Sequence, residues 1–304
     1  MATKKSVKIA AFYVIAAGVL WGIISIFVRR LTQGGMTAMQ ITAARVTVGT
    51  VVLLAVILIK DTKLLKIKPK DLWLFLGTGL FSVVLFNVCY FYTMQHGETS
   101  VAVVLLYTSP IFVMLMGAVF FKEKTTLRKL VALAATVLGC VFVSGILGGV
   151  KMELITLLTG IGSGFFYASY SIFGRYAVEK YHPLTVTFYT FLVAMVTSVP
   201  LCMPGKLIRI VADDKMQILW ILGIGVVCTV LPYIFYTEGL ERMEAGKAAI
   251  MVTVEPLVGT LLGIIAYKES ANALKIAGIV LIFAAVVFLD IKERKKVESN
   301  EGEK

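Results

Sequence analysis

Chemistry in this chain has to come from a few polar side chains set inside long apolar runs. The sharpest is Glu255, followed at once by Pro256 and lying well inside an apolar run near 245–267. At 1.5 Å per helical residue it sits roughly 15 Å from the start of that run. A charge at that depth costs about 2.5–3.5 kcal/mol on insertion scales unless it is protonated, paired or hydrated. Two roles fit it. It binds a proton or a cationic group of a substrate, or it is a carboxylate hydrogen-bonded to backbone that Pro256 has opened. Arg45, inside the run near 37–59, is the second buried-charge candidate. A guanidinium there grips a carboxylate or phosphate bidentately, or else its stem carries the charge out to the nearer interface. Around these lie Asn87, Tyr90, Tyr92, Tyr107, Tyr167, Tyr170, Tyr233 and Tyr236, whose rings and hydroxyls suit mixed polar–apolar organic solutes, although some tyrosines simply mark membrane interfaces.

These types bind; they do not react. His96 and His182 have no metal-ligand spacing, and no nucleophile–base arrangement is visible. Cys89, Cys140, Cys202 and Cys228 form no CxxC pair and read as packing residues, so no metal, cofactor or disulfide framework is implied. Gly246-Lys247 is no phosphate loop, because Glu241 stands where the loop needs glycine and Ala248 where it needs Ser or Thr. Glu238, Glu241, Arg242, Glu244 and Lys247 cluster at one turn and read mostly as a solvated cap, with Glu238 and Lys247 falling inside the span ends. An enzyme is not expected.

The elements that carry these residues are membrane helices. The chain is 59% hydrophobic, with mean hydropathy +0.89. Apolar runs of about 20 residues, enough to cross roughly 30 Å of hydrocarbon, recur near 7–28, 37–59, 72–94, 99–121, 127–147, 154–174, 183–203, 216–237, 245–267 and 273–291. Period-2 alternation is absent, which argues against a barrel. The net charge of +12 follows topology. Lys4, Lys5 and Lys8, the 60–70 connection, Lys122–Lys129, Arg175 and Lys180, Arg242 and Lys247, and the lysine-rich tail hold most of the positive charge on one side. That places both termini in the cytoplasm of a multi-pass cell-membrane protein and argues against nucleic acid as a partner. The start imitates a signal peptide but lacks a convincing cleavage pattern and reads as an uncleaved first helix. The tail at 293–304 is charged and expected to be disordered.

The runs also repeat. Ser109-Pro110 aligns with Glu255-Pro256, Phe121-Lys122-Glu123 with Tyr267-Lys268-Glu269, and Ile26–Arg29 with Ile172–Arg175, all at one offset of 146 residues. Gly18, Gly77, Gly79 and Gly117 meet Gly164, Gly223, Gly225 and Gly263 at the same offset. Two copies, about 1–150 and 151–292, join around Gly148-Gly149-Val150-Lys151. Five spans per copy make the copies inverted, giving an all-α integral membrane protein of ten transmembrane helices in two inverted five-helix repeats. Pro110 and Pro256 then interrupt equivalent spans and free the carbonyls of Leu106 and Val252 at bilayer depth, which marks a central cavity or a structural kink. Small residues at Gly18-x-x-x-Gly22 and Gly160-x-x-x-Gly164 permit close helix contact.

Together these features resemble the EamA family of the drug/metabolite transporter superfamily, over about 7–291. The resemblance rests on Arg45, Phe91-Tyr92-Thr93-Met94, Ser109-Pro110 through Phe121-Lys122-Glu123, Tyr236–Leu240, Glu255-Pro256 and Tyr267-Lys268-Glu269. It implies a central cavity lined by spans three, four, eight and nine, and transport of small organic metabolites or amino acids, often by export. The expected substrate-binding set is Arg45, Asn87, Tyr92, Tyr107, Ser109, Tyr236 and Glu255, flanked by the helix interruptions at Pro110 and Pro256, with alternating access between the two sides. Expected partners are a small-molecule substrate and the bilayer, with protons as the coupling candidate and a homodimer allowed. The alternatives are a passive channel or facilitator and a non-transporting membrane sensor.

Overall fold

The computed structural model of the protein describes residues 4–97, 99–144, 153–268 and 272–302. Among them every regular element is helical. In chain order they are α1 Lys4–Gly22, α2 Ile24–Gln33, α3 Ala38–Lys60, α4 Leu72–Leu76, α5 Phe86–His96, α6 Thr99–Leu106, α7 Ser109–Phe121 and α8 Leu127–Ser144. There follow α9 Leu154–Val178, α10 Pro183–Ser198, α11 Pro204–Asp213, α12 Met216–Gly225, α13 Leu231–Arg242, α14 Ala245–Met251, α15 Val254–Tyr267 and α16 Ala273–Gly302. Many are segments of longer rods. Among the described residues six continuous stretches are long and apolar enough to cross a membrane: Ile9–Gln33, Ala38–Lys60, Pro69–His96, Val101–Phe121, Met216–Arg242 and Ala245–Ala266. Pro183–Ser198 and Ala273–Phe288 are shorter apolar helices.

The interruptions come in pairs at the repeat offset. Prolines 110 and 256 stand in the first turns of α7 and α15, just past breaks at 107–108 and 252–253. A ring without N–H ends the preceding helix and costs little in a first turn, so each rod restarts there. The wide π-helical turns Gly77–Leu85 and Val226–Val230 also match at this offset and join α4 to α5 and α12 to α13. Thr229 fits the second one, its hydroxyl donating to the carbonyl of Ile224 at 2.9 Å. Lys122 and Lys268 both cap their helices in the left-handed region, at φ 55° and 54°. Each cap turns its backbone N–H back to a glycine carbonyl, Gly117 and Gly263 respectively.

Two glycines show how tightly the copies interlock. A Cβ on Gly18 would lie 2.7 Å from the carbonyl oxygen of Val252, and one on Gly164 2.8 Å from that of Leu105. Gly18 and Gly164 are equivalent, so the first rod of each copy lies against the broken rod of the other. Close backbone approach of this kind is what holds helices together in lipid. Gly18→Val and Gly164→Val are each expected to cost about 1–3 kcal/mol through overpacking, read as a lower melting temperature in detergent than for Gly205→Ala, whose Cβ meets nothing within 4 Å.

Ends are set locally. Thr37 and Gln40 form a reciprocal capping box that starts α3, and the Nδ1 of His182 accepts from Leu184 N–H where α10 begins at Pro183. Asp71 takes hydrogen bonds from Lys180 Nζ and the Tyr181 hydroxyl, both at 2.7 Å, stapling the loop before α4 to the one after α9. The hydrogen bond that Lys180 donates to Asp71 raises the pKa of this loop lysine. The segment 293–302 continues α16 as helix, because Glu, Lys and Arg are good helix formers and no Gly or Pro intervenes before Gly302. Glu269 and the junction at Gly148–Lys151 lie outside the described residues.

Candidate functional site

A cavity of about 650 Å³ opens between the rods. Its mouth is formed by Thr32, Met36, Thr37 and Ala38 around the α2–α3 turn and by Met94 and Gln95 near the end of α5. That end is opposite the chain's N-terminal end, where the foot of α13 packs on α1 with Gly239 against Val14. The wall is apolar and aromatic, and the polar groups gather deeper, where Arg45, Asn87, Tyr107, Tyr167, Tyr233 and Glu255 all line the space.

Each deep residue is positioned by something nearby. Glu255 is the second residue of α15, placed by the break at 252–253, and its own N–H donates to the carbonyl of Val252 at 3.1 Å. Its carboxylate faces Tyr107 and Tyr167, its hydrogen-bonding neighbours. Tyr107 lies in the matching break of the first copy, between α6 and α7. Asn87 donates to the carbonyl of Val83 at 2.6 Å and accepts from the Thr42 hydroxyl at 3.3 Å, so it is tied back to the π-helical segment that ends two residues before it. Arg45 is buried, 8% exposed, and its side chain borders the cavity instead of reaching for the interface.

An aromatic floor closes the space toward the terminal end. Tyr233 meets Trp21 edge-on at 5.2 Å, Tyr170 at 5.2 Å and Phe191 at 5.0 Å. Below that floor the rods are tied together. Tyr170 hydrogen-bonds Thr237 at 2.6 Å and Ser171 bonds Tyr236 at 2.8 Å. Arg175 donates to the carbonyls of Leu240 and Met243 at the end of α13. At the rim, Glu123 accepts from the N–H groups of Ala245 and Gly246 at 2.8 and 3.2 Å, and Lys129 lies 3.8 Å from Glu123 and 2.5 Å from Glu244.

The expected site set therefore divides. Arg45, Asn87, Tyr107 and Glu255 come together around one space. Tyr92 does not line it and stacks on His96 at 4.0 Å. Ser109 is buried in the first turn of α7, and Tyr236 is engaged below the floor with Ser171. Pro110 is buried, and Pro256 directly follows Glu255. Lining residues also come from rods beyond the expected spans three, four, eight and nine: α1, α2, α3 and α9 supply Trp21, Ser25, Thr42 and Tyr167. Of the two span-end residues singled out, Glu238 pairs with Arg242 at 2.8 Å and Lys247 is buried within α14.

Apolar rods interrupted at matched depths around a one-sided, charge-bearing cavity define a membrane transport protein. The EamA-like transporter family model matches twice, over residues 8–145 and 154–290, and the chain belongs to that family. It is 26% identical to an uncharacterized transporter of Archaeoglobus fulgidus, over 90% of this chain and 93% of that protein. It is 28% identical to the Pseudopaline exporter CntI of Pseudomonas aeruginosa, over 67% of this chain and 70% of that protein. One solved crystal structure shares the fold at 17% identity with a TM-score of 0.76, covering 94% of this chain and 98% of that one. The chain is thus a multi-pass membrane transporter and not an enzyme.

Proposed function

We propose that this protein is a secondary transporter that exports small organic metabolites, zwitterions such as amino acids among them, across the cell membrane by alternating access. The observation that carries the reading is the joint placement of Arg45 and Glu255 on one cavity with apolar, aromatic walls. A cation and an anion there match a substrate bearing a carboxylate and an ammonium, and the walls accept its organic body. Ten spans in two inverted five-helix halves, 1–150 and 151–292, would put both termini in the cytoplasm, with the cavity open to the outside in this state. Two family matches in tandem and the paired helix breaks support that arrangement. A floor closed by aromatic rings favours a carrier over a channel. One relative is an exporter, which favours export here, and protons are the coupling ion Glu255 suits.

The test is flux in proteoliposomes holding purified protein, with an amino-acid-weighted metabolite pool and an imposed pH gradient. Uphill movement of one compound class supports the reading. Movement that is only downhill and insensitive to the gradient replaces it with a facilitator, and binding without flux with a sensor.

In this reading the Glu123 clamp holds the cytoplasmic side shut. Glu123→Ala removes two backbone hydrogen bonds to a charged acceptor, each contributing about 1.5–3 kcal/mol. Faster amide exchange at Ala245 and Gly246 is expected, together with slower labelling of a Gln95→Cys reporter at the cavity mouth by an impermeant maleimide. Unchanged rates would make the clamp purely structural.

A further inference from the structure

The contacts that seal one side of the cavity have sequence equivalents on the other side, and there they stand open. Below the floor, Ser171 on α9 hydrogen-bonds Tyr236 on α13 at 2.8 Å. At the repeat offset these residues correspond to Ser25 on α2 and Tyr90 on α5. Both of those line the open cavity, and the Ser25 hydroxyl has no hydrogen-bond partner. The next pair differs. Tyr170 bonds Thr237 at 2.6 Å, while the equivalents Ile24 and Phe91, both lining the cavity, have no polar atom with which to bond. A buried hydroxyl left without a partner is costly, and such groups are normally satisfied. Ser25 therefore carries an unmet bond in the state where its mirror image is satisfied.

We propose that Ser25 and Tyr90 form the latch of the outer gate: they bond when the mouth closes, as Ser171 and Tyr236 do now, and the two bonds are made alternately. The proposal rests on the alternating-access reading and names the contacts that alternate. The first rod carries a hinge for this motion. Chain α1 ends at Gly22 and α2 begins at Ile24, and a Cβ on Gly22 would lie 2.8 Å from the carbonyl oxygen of Glu255. The outer segment of the first rod thus pivots against the residue that binds in the cavity. Space exists on its other flank as well, a crevice lined by Ser25, Arg29, Gly259 and Gly263. Swinging α2 toward α5 would bring Ser25 to Tyr90 and narrow the mouth. A proton or substrate at Glu255 lies beside the pivot and so has a direct route to bias the swing.

The test uses equivalent removals that must act with opposite signs. In a chain with its four cysteines replaced, a Gln95→Cys reporter at the mouth is labelled from outside with an impermeant maleimide. Tyr236→Phe deletes the bond of the outward-open state and is expected to slow labelling about two- to tenfold, the population shift that one hydrogen bond provides. Adding Tyr90→Phe to that variant deletes the bond of the opposite state and is expected to restore the rate by a similar factor. Ser25→Ala, which removes the same bond from its other partner, should restore it equally. Slower labelling on adding Tyr90→Phe or Ser25→Ala, or no change, overturns the proposal, and so does a Tyr236→Phe variant that labels like its parent. If Glu123→Ala also leaves the rate untouched, the cavity has one state and the carrier reading itself falls.

Discussion

Glu255→Gln is expected to abolish uphill, gradient-driven flux and flatten its pH dependence while leaving the protein folded. Glutamine keeps the shape and can still bond the tyrosine hydroxyls of Tyr107 and Tyr167, so packing is preserved. What disappears is the ability to lose and regain a proton. A buried carboxylate costs about 2.5–3.5 kcal/mol at bilayer depth, so stability in detergent should hold or rise in the variant. That separates function from folding. The alternative, a carboxylate retained to satisfy backbone opened by Pro256, fits the contacts poorly: the Val252 carbonyl already accepts from Glu255 N–H, while the carboxylate faces tyrosines. For a substrate held through its ammonium, loss of a charged hydrogen bond worth about 1.5–3 kcal/mol weakens binding roughly tenfold to a hundredfold. Counterflow, which needs binding but no gradient, distinguishes the two roles. If Glu255→Gln keeps counterflow and loses only gradient coupling, the residue carries the proton; if both fall together, it holds substrate. Full gradient-driven flux with an unchanged pH profile would remove Glu255 from both.

The reason so much of this molecule could be read from residues is that its constraints are one-dimensional. Long apolar runs announce rods. Proline announces a break wherever it falls, and Pro110 and Pro256 stand just past breaks in the structure. The register of 146 residues ties Gly18 to Gly164, and both are found pressed on carbonyls of the opposite copy's broken rod. Facing is another matter. Tyr90 and Tyr92 are two positions apart, which on a helix turns one toward the cavity and the other to His96. Tyr236 has the right type and a plausible depth but is taken up by Ser171 below the floor. Nothing in its own neighbourhood shows which rod lies alongside. The π-helical turns carry no residue signature, since Gly77–Leu85 and Val226–Val230 are ordinary apolar sequence. Trp21 and Ser25 belong to a rod that the sequence marks only as an uncleaved first helix, and nothing in its own residues shows that it lines the cavity. Glu123 was visible as half of a repeated Lys-Glu pair, but its partners Ala245 and Gly246 lie across the fold, and backbone N–H groups leave no trace in sequence.

Arg45→Met is expected to lower flux of carboxylate-bearing substrates about tenfold to a hundredfold, again the worth of a charged hydrogen bond. Arg45→Lys should fall between, because a lysine keeps the charge but cannot make the two parallel bonds of a guanidinium fork. The argument for a substrate role is the residue's asymmetry. Its repeat equivalent is Phe191, fully buried in the aromatic floor against Tyr233, so a helix-packing requirement at this position is already met by an apolar ring in the other copy. A buried guanidinium that merely stabilised the bundle would gain nothing over that ring, since replacing buried charge by apolar side chains is often neutral or stabilising. The cavity explains the exception, because there the charge meets solvent or a ligand. Two substrates read the difference. With an amino acid, Arg45→Met raises KM strongly; with the amino acid's amide or methyl ester, wild type and variant should transport alike, because neither substrate offers the anion. Equal loss for both would mean that Arg45 shapes the cavity without touching the substrate. If counterflow shows that Glu255 holds substrate, Glu255→Gln should give the opposite pattern, retaining sensitivity to the carboxylate and losing it to the amine, and the pair of variants then fixes the orientation of the substrate between the two charges.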